Sequence, residues 1–419
     1  MFVRIKGTQD LLDLTLINFI LNTVKTHLTT YHFNQIETPI LEPTELFQRS
    51  LGTQTDVVSK EMFLIKGKDQ EHDGTICLRP EATASTVRAF VENNIIQTPW
   101  KVFSYGPMFR YERPQKGRFR QFHQINVEII GAQAVENDVQ FIKMLDRFFH
   151  EKLFLNNYAL LINYLGCHED RARYKEKLLS FLNSSQAQGT CQLCQERKEK
   201  NIMRIFDCKV PQCQLIYQNA PRLIDSLCQT CAHEWTTLQN DLELLSVSYV
   251  VQPYLVRGLD YYQKTVFEFV SHNLGAQSAF CGGGRYDQLV SQVGGKQDQP
   301  SIGAAIGMER LLLLLEPYKD QLPLPQLPPL HVIIPMQAAQ KPLALLLADE
   351  LQAYGLCTDI FLESDSMKSM MRKANKLGAK YVLILGENEQ QNNEVTIKNM
   401  ITGSEERIAQ AQAVKYLQQ

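Results

Sequence analysis

The most informative segment of the chain is Phe103-Ser-Tyr-Gly-Pro-Met-Phe-Arg-Tyr-Glu-Arg-Pro-Gln-Lys-Gly-Arg-Phe-Arg-Gln-Phe-His-Gln-Ile-Asn-Val-Glu-Ile-Ile-Gly131. It begins with strand-type residues, passes through a loop broken by Pro114 and Gly117, and resumes at Phe122 with polar and apolar residues in alternation. This pattern predicts an antiparallel β-hairpin whose connection is long and strongly basic.

Alternation places Gln124, Asn126 and Glu128 on one face of the returning strand, because side chains on a strand repeat with period two. The connection adds five cations: Arg110, Arg113, Lys116, Arg118 and Arg120. Guanidinium groups are suited to bidentate phosphate binding. A solvated surface hairpin is the alternative interpretation, but a polar strand face joined directly to these arginines favours a ligand cleft.

This hairpin resembles motif 2 of the class II aminoacyl-tRNA synthetases. The resemblance rests on Phe109-Arg-Tyr-Glu112 and on Arg120-Gln-Phe-His-Gln124. The connection Arg113-Pro-Gln-Lys-Gly-Arg-Phe-Arg-Gln-Phe-His-Gln124 is similar to the version found in the histidyl-tRNA synthetase family. Upstream, residues 36–47 resemble motif 1, which in class II enzymes forms much of a dimer interface.

Composition agrees with a folded protein of two or three domains, since the chain has 419 residues, of which 44% are hydrophobic and 21% charged. The net charge of −2 excludes a generally basic nucleic-acid binder, so any RNA contact must come from local patches. No signal-peptide core and no membrane-spanning run is found in the sequence, which predicts a cytoplasmic protein without a membrane partner.

A carboxylate side chain, Glu81, and a hydroxyl side chain, Thr83, follow a predicted short strand that ends at Pro80. One interpretation is that they cap the helix predicted from residue 84. The other follows from the family resemblance, which implies that they bind the α-amino group of the amino acid. The residues alone leave both open.

Residues 167–247 are polar and helical, and they interrupt the core pattern. This segment contains the pairs Cys191-x-x-Cys194 and Cys228-x-x-Cys231. Ten cysteines in a chain without secretion signals indicate reduced thiols or metal ligands rather than disulfides. Paired Cys-x-x-Cys motifs are typical of zinc sites, so we consider a structural zinc ion bound by these four cysteines.

Three further segments complete the resemblance. Arg257-Gly-Leu-Asp-Tyr-Tyr262 is similar to a signature of the histidyl family, and Cys281-Gly-Gly-Gly-Arg-Tyr-Asp287 predicts a glycine-rich strand along which a ligand can lie. Residues 301–310 resemble motif 3, a small-residue strand that leads into a helix with Arg310 at its start. For Arg257, the alternative is a structural ion pair with Asp260.

A proline-rich linker, residues 322–330, precedes alternating strands and helices that predict a small α/β domain with a parallel core. It resembles the anticodon-binding domain of several class II synthetases. Four basic residues on or near one predicted helix form a candidate RNA patch: Lys368, Arg372, Lys373 and Lys376. An ordinary solvated helix face is the alternative.

The resemblance therefore implies an α+β protein with an antiparallel-sheet catalytic domain (residues 1–325), a helical insertion (167–247) and an anticodon-binding α/β domain (331–419). It implies activation of histidine by ATP with Mg²⁺, transfer to tRNA(His), and a homodimer. The implied catalytic residues are Arg110 and Arg257. The implied ATP-binding residues are Arg110, Glu112, Arg118 and Arg310, and the implied histidine-binding residues are Glu81, Thr83, Gln124, Glu128, Arg257, Tyr261 and Tyr262. Gln115 and Lys116 are implied at the tRNA acceptor end.

Two other functions are weighed against this one. A regulatory relative that binds histidine without charging tRNA would lack the phosphate-binding arginines and the carboxy-terminal domain, and the sequence contains both. A synthetase for another amino acid is disfavoured by residues 257–262. One departure from the family pattern is Ser278-Ala-Phe-Cys281, where the family is usually smaller and richer in glycine.

Overall fold

The computed structural model describes residues 2–67, 74–275, 278–363 and 365–418. Two compact units are present, Met1–Leu324 and Pro325–Gln419. Within the described residues, no helix is long and apolar enough to cross a bilayer.

The first unit is built on an antiparallel-rich sheet. Its strands are β1 (Asn34–Gln35), β2 (Leu41–Pro43), β3 (Phe63–Ile65), β4 (Ile76–Leu78), β5 (Trp100–Phe109), β6 (Gln121–Ile130), β7 (Ala159–Tyr164), β8 (Val250–Val251), β9 (Gln263–Val270), β10 (Ala279–Arg285) and β11 (Ser301–Gly307). Eight of them form one sheet in the order β1-β5-β6-β11-β10-β9-β7-β8, and β2-β4-β3 form a smaller sheet. The pairs β1/β5 and β7/β8 are parallel, and the pairs between them in the large sheet are antiparallel.

The first unit has ten α-helices among its described residues, and some of them pack on the two faces of the large sheet. The ten helices are α1 (Thr15–Thr30), α2 (Thr44–Leu51), α3 (Thr83–Glu92), α4 (Glu136–Arg147), α5 (His168–Asn183), α6 (Gln192–Lys200), α7 (Pro211–Tyr217), α8 (Gln229–Leu244), α9 (Leu289–Gln292) and α10 (Met308–Leu315). Alternation on β9 sends Phe267 and Phe269 into the core with α1, α4 and α10, and Val266 into a second core with α2 and α3.

The central hairpin has the predicted form. β5 and β6 pair along their whole length, from Trp100 opposite Ile130 to Phe109 opposite Gln121. On its other edge, β6 pairs with β11 so that Glu128 faces Gly303 and Gln124 faces Gly307. The polar face of β6 thus lies in the middle of the sheet, which is where a ligand can be enclosed.

The predicted helical insertion contains α5 to α8, which confirms the α+β architecture with a helical insertion. Three of its helices, α5 to α7, and short 3₁₀ turns pack around a small core of their own that includes Tyr174, Leu178 and Ile205, whereas α8 packs in the core of the large sheet. This core is separate from the two that cover the sheet.

The second unit contains β12 (His331–Pro335), β13 (Thr358–Ile360), β14 (Tyr381–Leu385), β15 (Glu394–Asn399) and β16 (Glu405–Ala409), with α11 (Lys341–Ala353), α12 (Met367–Lys376), α13 (Glu387–Asn392) and α14 (Ala413–Leu417). The strand order is β13-β12-β14-β15-β16. β12, β13 and β14 are parallel, as predicted, whereas β15 and β16 extend the sheet in antiparallel fashion. The parallel core was predicted correctly, and the antiparallel extension was not predicted.

Candidate active site

A cavity of about 380 Å³ opens on the polar face of the large sheet. Its walls come from the β5–β6 hairpin, from β9, β10 and β11, and from the segment that precedes β9. Ten of the predicted site residues line it: Glu81, Thr83, Arg110, Glu112, Arg118, Gln124, Arg257, Tyr261, Tyr262 and Arg310. Glu128 lies buried beside them, while Gln115 and Lys116 are exposed on the hairpin loop.

Glu81 serves as a helix cap in this structure. Its two carboxylate oxygens accept hydrogen bonds from the backbone N–H groups of Thr83 (2.8 Å) and Ala84 (2.7 Å), at the first turn of α3. Burial raises the pKa of Glu81. Because each carboxylate oxygen has a second acceptor position, the capping role and the role implied by the family resemblance are compatible.

Glu128 is fully buried and receives two hydroxyl donors. Thr83 donates to Oε1 at 2.7 Å and Tyr286 donates to Oε2 at 2.5 Å. Burial raises the pKa of Glu128 to about 8, although both hydrogen bonds oppose the shift. The carboxylate fits only because residue 303 is glycine, since a Cβ there would lie 1.5 Å from Oε2.

Arg257 forms an ion pair with Glu268 across the cavity wall. Burial opposes the charge of the guanidinium, but the carboxylate of Glu268 raises the pKa of Arg257 overall. Gly282 leaves the necessary space, because a Cβ on it would lie 2.5 Å from the guanidinium. The pairing with Asp260 that the sequence left open is not the one formed, since Asp260 instead accepts a hydrogen bond from Asn201 at 2.8 Å.

Three more arginines surround the same space. Arg110 Nε donates to the carbonyl of Pro80 at 2.9 Å, and Arg118 forms an ion pair with Glu112. Arg310, at the start of α10, donates to the carbonyl of Ala279. Burial, and then the charges of Arg118 and Arg110, lower the pKa of Arg310 to about 10. Mutual repulsion among half-buried cations of this kind favours the binding of an anion.

Two tyrosines and a glutamine complete the cavity. Tyr261 and Tyr262 pack ring against ring with centroids 4.5 Å apart, and Arg257 lies 5.8 Å from the ring of Tyr262. Among the described residues, Oε1 of Gln124 has no hydrogen-bond partner. It is a buried acceptor that a ligand can satisfy.

Sequence reasoning missed two residues of the site, Tyr286 and Glu268. Tyr286 follows the glycine strand directly, and Glu268 pairs with Gly282 in the β9–β10 ladder. The alternation of β9 placed Glu268 among apolar residues, and that isolated carboxylate was the available signal. No comparable signal pointed to Tyr286, because its contact with Glu128 joins strands that are far apart in sequence.

The two Cys-x-x-Cys pairs do not share one metal site, so the predicted ligand set is wrong. Cys191 and Cys194 lie with Cys208 and Cys213, whereas Cys228 and Cys231 lie with Cys167 and Asp170. The cause is the fold of the insertion, in which the intervening residues form a core of their own between α5 and α7.

Known proteins resemble this chain over nearly its whole length. The histidyl-tRNA synthetase family model matches residues 13–311, and an anticodon-binding domain model matches residues 331–419. The histidine–tRNA ligase of Oleidesulfovibrio alaskensis is 42% identical over 410 residues, which cover 97% of this chain and 96% of that protein. The histidine–tRNA ligase of Nitratidesulfovibrio vulgaris Hildenborough is 46% identical over 380 residues, or 90% of this chain and 88% of that protein.

Among solved structures, apo histidyl-tRNA synthetase from S. aureus superposes with a TM-score of 0.81 at 31% identity, with full coverage of both chains. A family model that covers most of the catalytic unit, together with relatives above 40% identity, is decisive. The chain belongs to the histidyl-tRNA synthetase family.

Proposed function

We propose that the cavity joins histidine to ATP as histidyl-adenylate and then passes the histidyl group to tRNA(His). As a member of its family, the chain is an ATP-dependent histidine–tRNA ligase. The observation that best supports this use of the cavity is the grouping of the side chains around it. Glu81, Glu128, Tyr261 and Tyr262 are buried and lie close enough to shift one another's pKa values, and we call them the carboxylate end. Arg110 and Arg118 both lower the pKa of Arg310, and we call these three the arginine end.

In the first step the carboxylate of histidine attacks the α-phosphate of ATP, and pyrophosphate leaves. We assign Arg110 and Arg257 to the α-phosphate and the carboxylate, and Arg118 and Arg310 to the outer phosphates. Glu112 orients Arg118 through their ion pair. No side chain acts as a covalent nucleophile, since positioning and charge stabilisation supply the catalysis.

Histidine itself is held by the carboxylate end. We assign Glu81, Thr83 and Gln124 to its backbone groups, and Glu128, with Tyr261 and Tyr262, to its side chain. A carboxylate buried beside Tyr286 and Thr83 accepts the imidazole N–H. An amino acid without that donor leaves these polar groups unpaired, which is the basis of strong discrimination.

Magnesium fits the chemistry of the arginine end. The ion prefers oxygen ligands and is usually held by one or two carboxylates together with substrate phosphates. Glu112 and Glu268 both line the cavity, and each uses one carboxylate oxygen in its ion pair with an arginine, so the other oxygen of each would provide a ligand. When bound, the ion neutralises charge on the phosphates.

In the second step the terminal ribose hydroxyl of tRNA attacks the acyl carbon and AMP leaves. We place the acceptor end of tRNA at Gln115 and Lys116, which are exposed on the hairpin loop next to the cavity. We assign catalysis to residues 1–325 and anticodon binding to residues 331–419. On α12 the side chains of Lys368, Arg372, Lys373 and Lys376 are exposed, as an RNA-binding patch requires.

A homodimer and a cytoplasmic location are part of the same proposal. Residues 36–47, which resemble motif 1, form the short strand β2 and helix α2, and Leu41 is an exposed apolar side chain there. Light scattering of the purified chain tests the dimer, because a monomeric mass at micromolar concentration contradicts it. A structural zinc ion is proposed below on grounds independent of catalysis.

Pyrophosphate exchange into ATP, measured with each of the twenty amino acids and without tRNA, tests the activation step. Exchange with histidine alone supports the proposal, and charging of tRNA(His) then tests transfer. Histidine binding without exchange would instead favour a regulatory role. An ATP phosphoribosyltransferase regulatory subunit/histidyl-tRNA synthetase from Bacillus halodurans shares the fold, with a TM-score of 0.64 at 22% identity.

A further inference from the structure

We infer that Cys191, Cys194, Cys208 and Cys213 bind one structural zinc ion in the helical insertion. Cys191 is the residue before α6 and Cys194 lies in its first turn. Cys208 precedes α7 and Cys213 lies within it. The site therefore joins the starts of two neighbouring helices that are separated by 3₁₀ turns.

The four sulfur atoms have the spacing of a single tetrahedral ion. All four Sγ atoms lie within 4.8 Å of one another, and Cys191 and Cys208 are separated by 3.8 Å between sulfurs. Zn–S bonds of about 2.3 Å in tetrahedral geometry place sulfurs ~3.8 Å apart. A disulfide requires about 2 Å, and all four cysteines are free.

The surroundings of the sulfurs also suit thiolates. The backbone N–H of Cys191 donates to Sγ of Cys213 at 3.2 Å, and the N–H of Val210 donates to Sγ of Cys208 at 3.5 Å. Hydrogen bonds of this kind orient and stabilise metal ligands. Cys194, Cys208 and Cys213 are also buried, so the site is closed to solvent on most sides.

The small core of the insertion is typical of segments that a structural metal ion stabilises. Its buried core is small, and three of the core residues are the cysteines Cys194, Cys208 and Cys213. A core of this size provides little apolar burial, and a structural zinc ion adds its binding free energy to folding.

Four thiolate ligands at this spacing restrict which metal ions the site can bind. Four thiolates without a carboxylate do not suit Mg²⁺ or Ca²⁺, which prefer oxygen. In a cluster of four irons each cysteine binds a different iron, which requires sulfurs spread more widely than 4.8 Å. A single soft ion remains, and zinc is the usual occupant of structural Cys₄ sites.

The second cysteine cluster provides an internal comparison. It consists of Cys167, Asp170, Cys228 and Cys231. The carboxylate of Asp170 is already engaged, because it accepts the N–H of Cys228 at 2.8 Å and pairs with Arg173. This cluster offers three sulfurs and an oxygen that is hydrogen-bonded elsewhere, so it is not included in the proposal.

Metal analysis of the purified full-length chain tests the site. We expect about one zinc per chain, with an X-ray absorption spectrum that shows four sulfurs at about 2.3 Å and no oxygen ligand. A mixed sulfur and oxygen shell would assign the metal to the second cluster and overturn the proposal. Iron in place of zinc, or no metal after reconstitution with zinc under reducing conditions, would also overturn it.

Two matched double variants locate the ligands. Cys208→Ser with Cys213→Ser should reduce zinc to background, whereas Cys228→Ser with Cys231→Ser should retain it. Zinc retained in the first variant would overturn the proposal. If the first variant does not fold, the absorption spectrum of the unaltered chain decides alone. Neither measurement depends on aminoacylation, so a failed catalytic proposal leaves this one testable.

Discussion

Tyr286 donates its phenolic hydrogen bond to Glu128 at 2.5 Å, from a strand end that lies more than a hundred residues away in the chain. This contact, with the one from Thr83, surrounds a buried carboxylate with neutral donors rather than with a cation. Among the described residues, Glu128 forms no salt bridge. Burial without a neighbouring cation disfavours the charged form of such a group.

The first prediction concerns the pH dependence of stability. The pKa of Glu128 is raised from 4.5 to about 8. Between these two values the folded chain binds more protons than the unfolded chain, so this group makes stability fall as pH rises. Glu128→Gln removes that contribution. We therefore expect the difference between the melting temperature of the variant and that of the unaltered chain to become more positive from pH 5 to pH 8, when both are measured without ligands.

The effect is at most on the order of a few kcal/mol, because one unit of pKa shift corresponds to about 1.4 kcal/mol. Thermal melts at several pH values measure it. Glu169→Gln, at an exposed position in α5, is the control and should follow the unaltered chain. Curves for the Glu128 variant that run parallel to those of the unaltered chain would contradict the prediction.

Arg257→Ala should slow histidyl-adenylate formation by about 10²–10³-fold, the loss expected for one strong transition-state contact. Histidine binding should fall much less than the rate, because Arg110 and the side chains of the carboxylate end remain. Pyrophosphate exchange gives the rate and calorimetry gives the affinity. Arg222→Ala, an arginine paired with Asp225 on the surface of the insertion, is the matched control and should exchange normally. Normal turnover of the Arg257 variant would remove that residue from the mechanism.

Arg310→Ala should raise the KM for ATP by about tenfold or more, since a charged hydrogen bond contributes roughly 1.5–3 kcal/mol. The KM for histidine should change little. The side chain carries its charge at neutral pH even though burial, and then the neighbouring cations, lower its pKa to about 10. Exchange kinetics with one substrate varied at a time separate the two constants. An equal rise in both would show that the substitution disturbs the whole cavity.

Removal of the proposed zinc should lower the rate of adenylate formation as well as stability. The segment between the two ligand pairs contacts the loop of Arg257: Asn201 donates to Asp260 at 2.8 Å, and Arg204 donates to the carbonyl of Gly258 at 2.6 Å. Loss of the metal frees both ends of that segment. Exchange rates before and after chelation, with restoration by added zinc, measure the effect. Asn201→Ala should reproduce part of it with zinc still bound.

Two glycine substitutions should have different kinetic consequences. In Gly303→Ala the new Cβ collides with the carboxylate of Glu128, and in Gly282→Ala it collides with the guanidinium of Arg257. We expect the first to weaken histidine binding and to destabilise the chain by about 1–3 kcal/mol, as overpacking does. The second should mainly lower the exchange rate. Calorimetry and exchange kinetics on both variants compare them, and identical profiles would contradict the assignment of two ends.

Much of this architecture was accessible from sequence because it is local. The β5–β6 hairpin, the strand after Asp260 and the parallel strands of the second unit each carry alternation or strand–helix punctuation within a few residues. β15 and β16 were missed since both strands are short and each has only two apolar residues.

The candidate site was harder to predict from the sequence than the fold, because most of its contacts join residues that are far apart in the chain. Glu81 was recognised, but only coordinates show that it caps α3. Tyr286 contacts Glu128 of β6 from a point 158 residues further along the chain, and Glu268 of β9 pairs with Arg257 in the segment that precedes β9. No local pattern encodes either contact. The cysteines show the same limit, since spacing alone grouped the two Cys-x-x-Cys pairs and the fold of the insertion separates them.

The pairing of β6 along both edges has one further implication. Gln124 and Glu128 are four residues apart on a strand that rises about 3.4 Å per residue, so a span of ~14 Å is fixed by the hydrogen-bonded ladder. The ladder therefore fixes the distance along β6 between Gln124, which is assigned to the amino acid's backbone, and Glu128, which is assigned to its side chain. Insertion of a single residue between them would turn one of the two away from the cavity. A change in the register of β6 would therefore alter both the choice of amino acid and the geometry of the reaction.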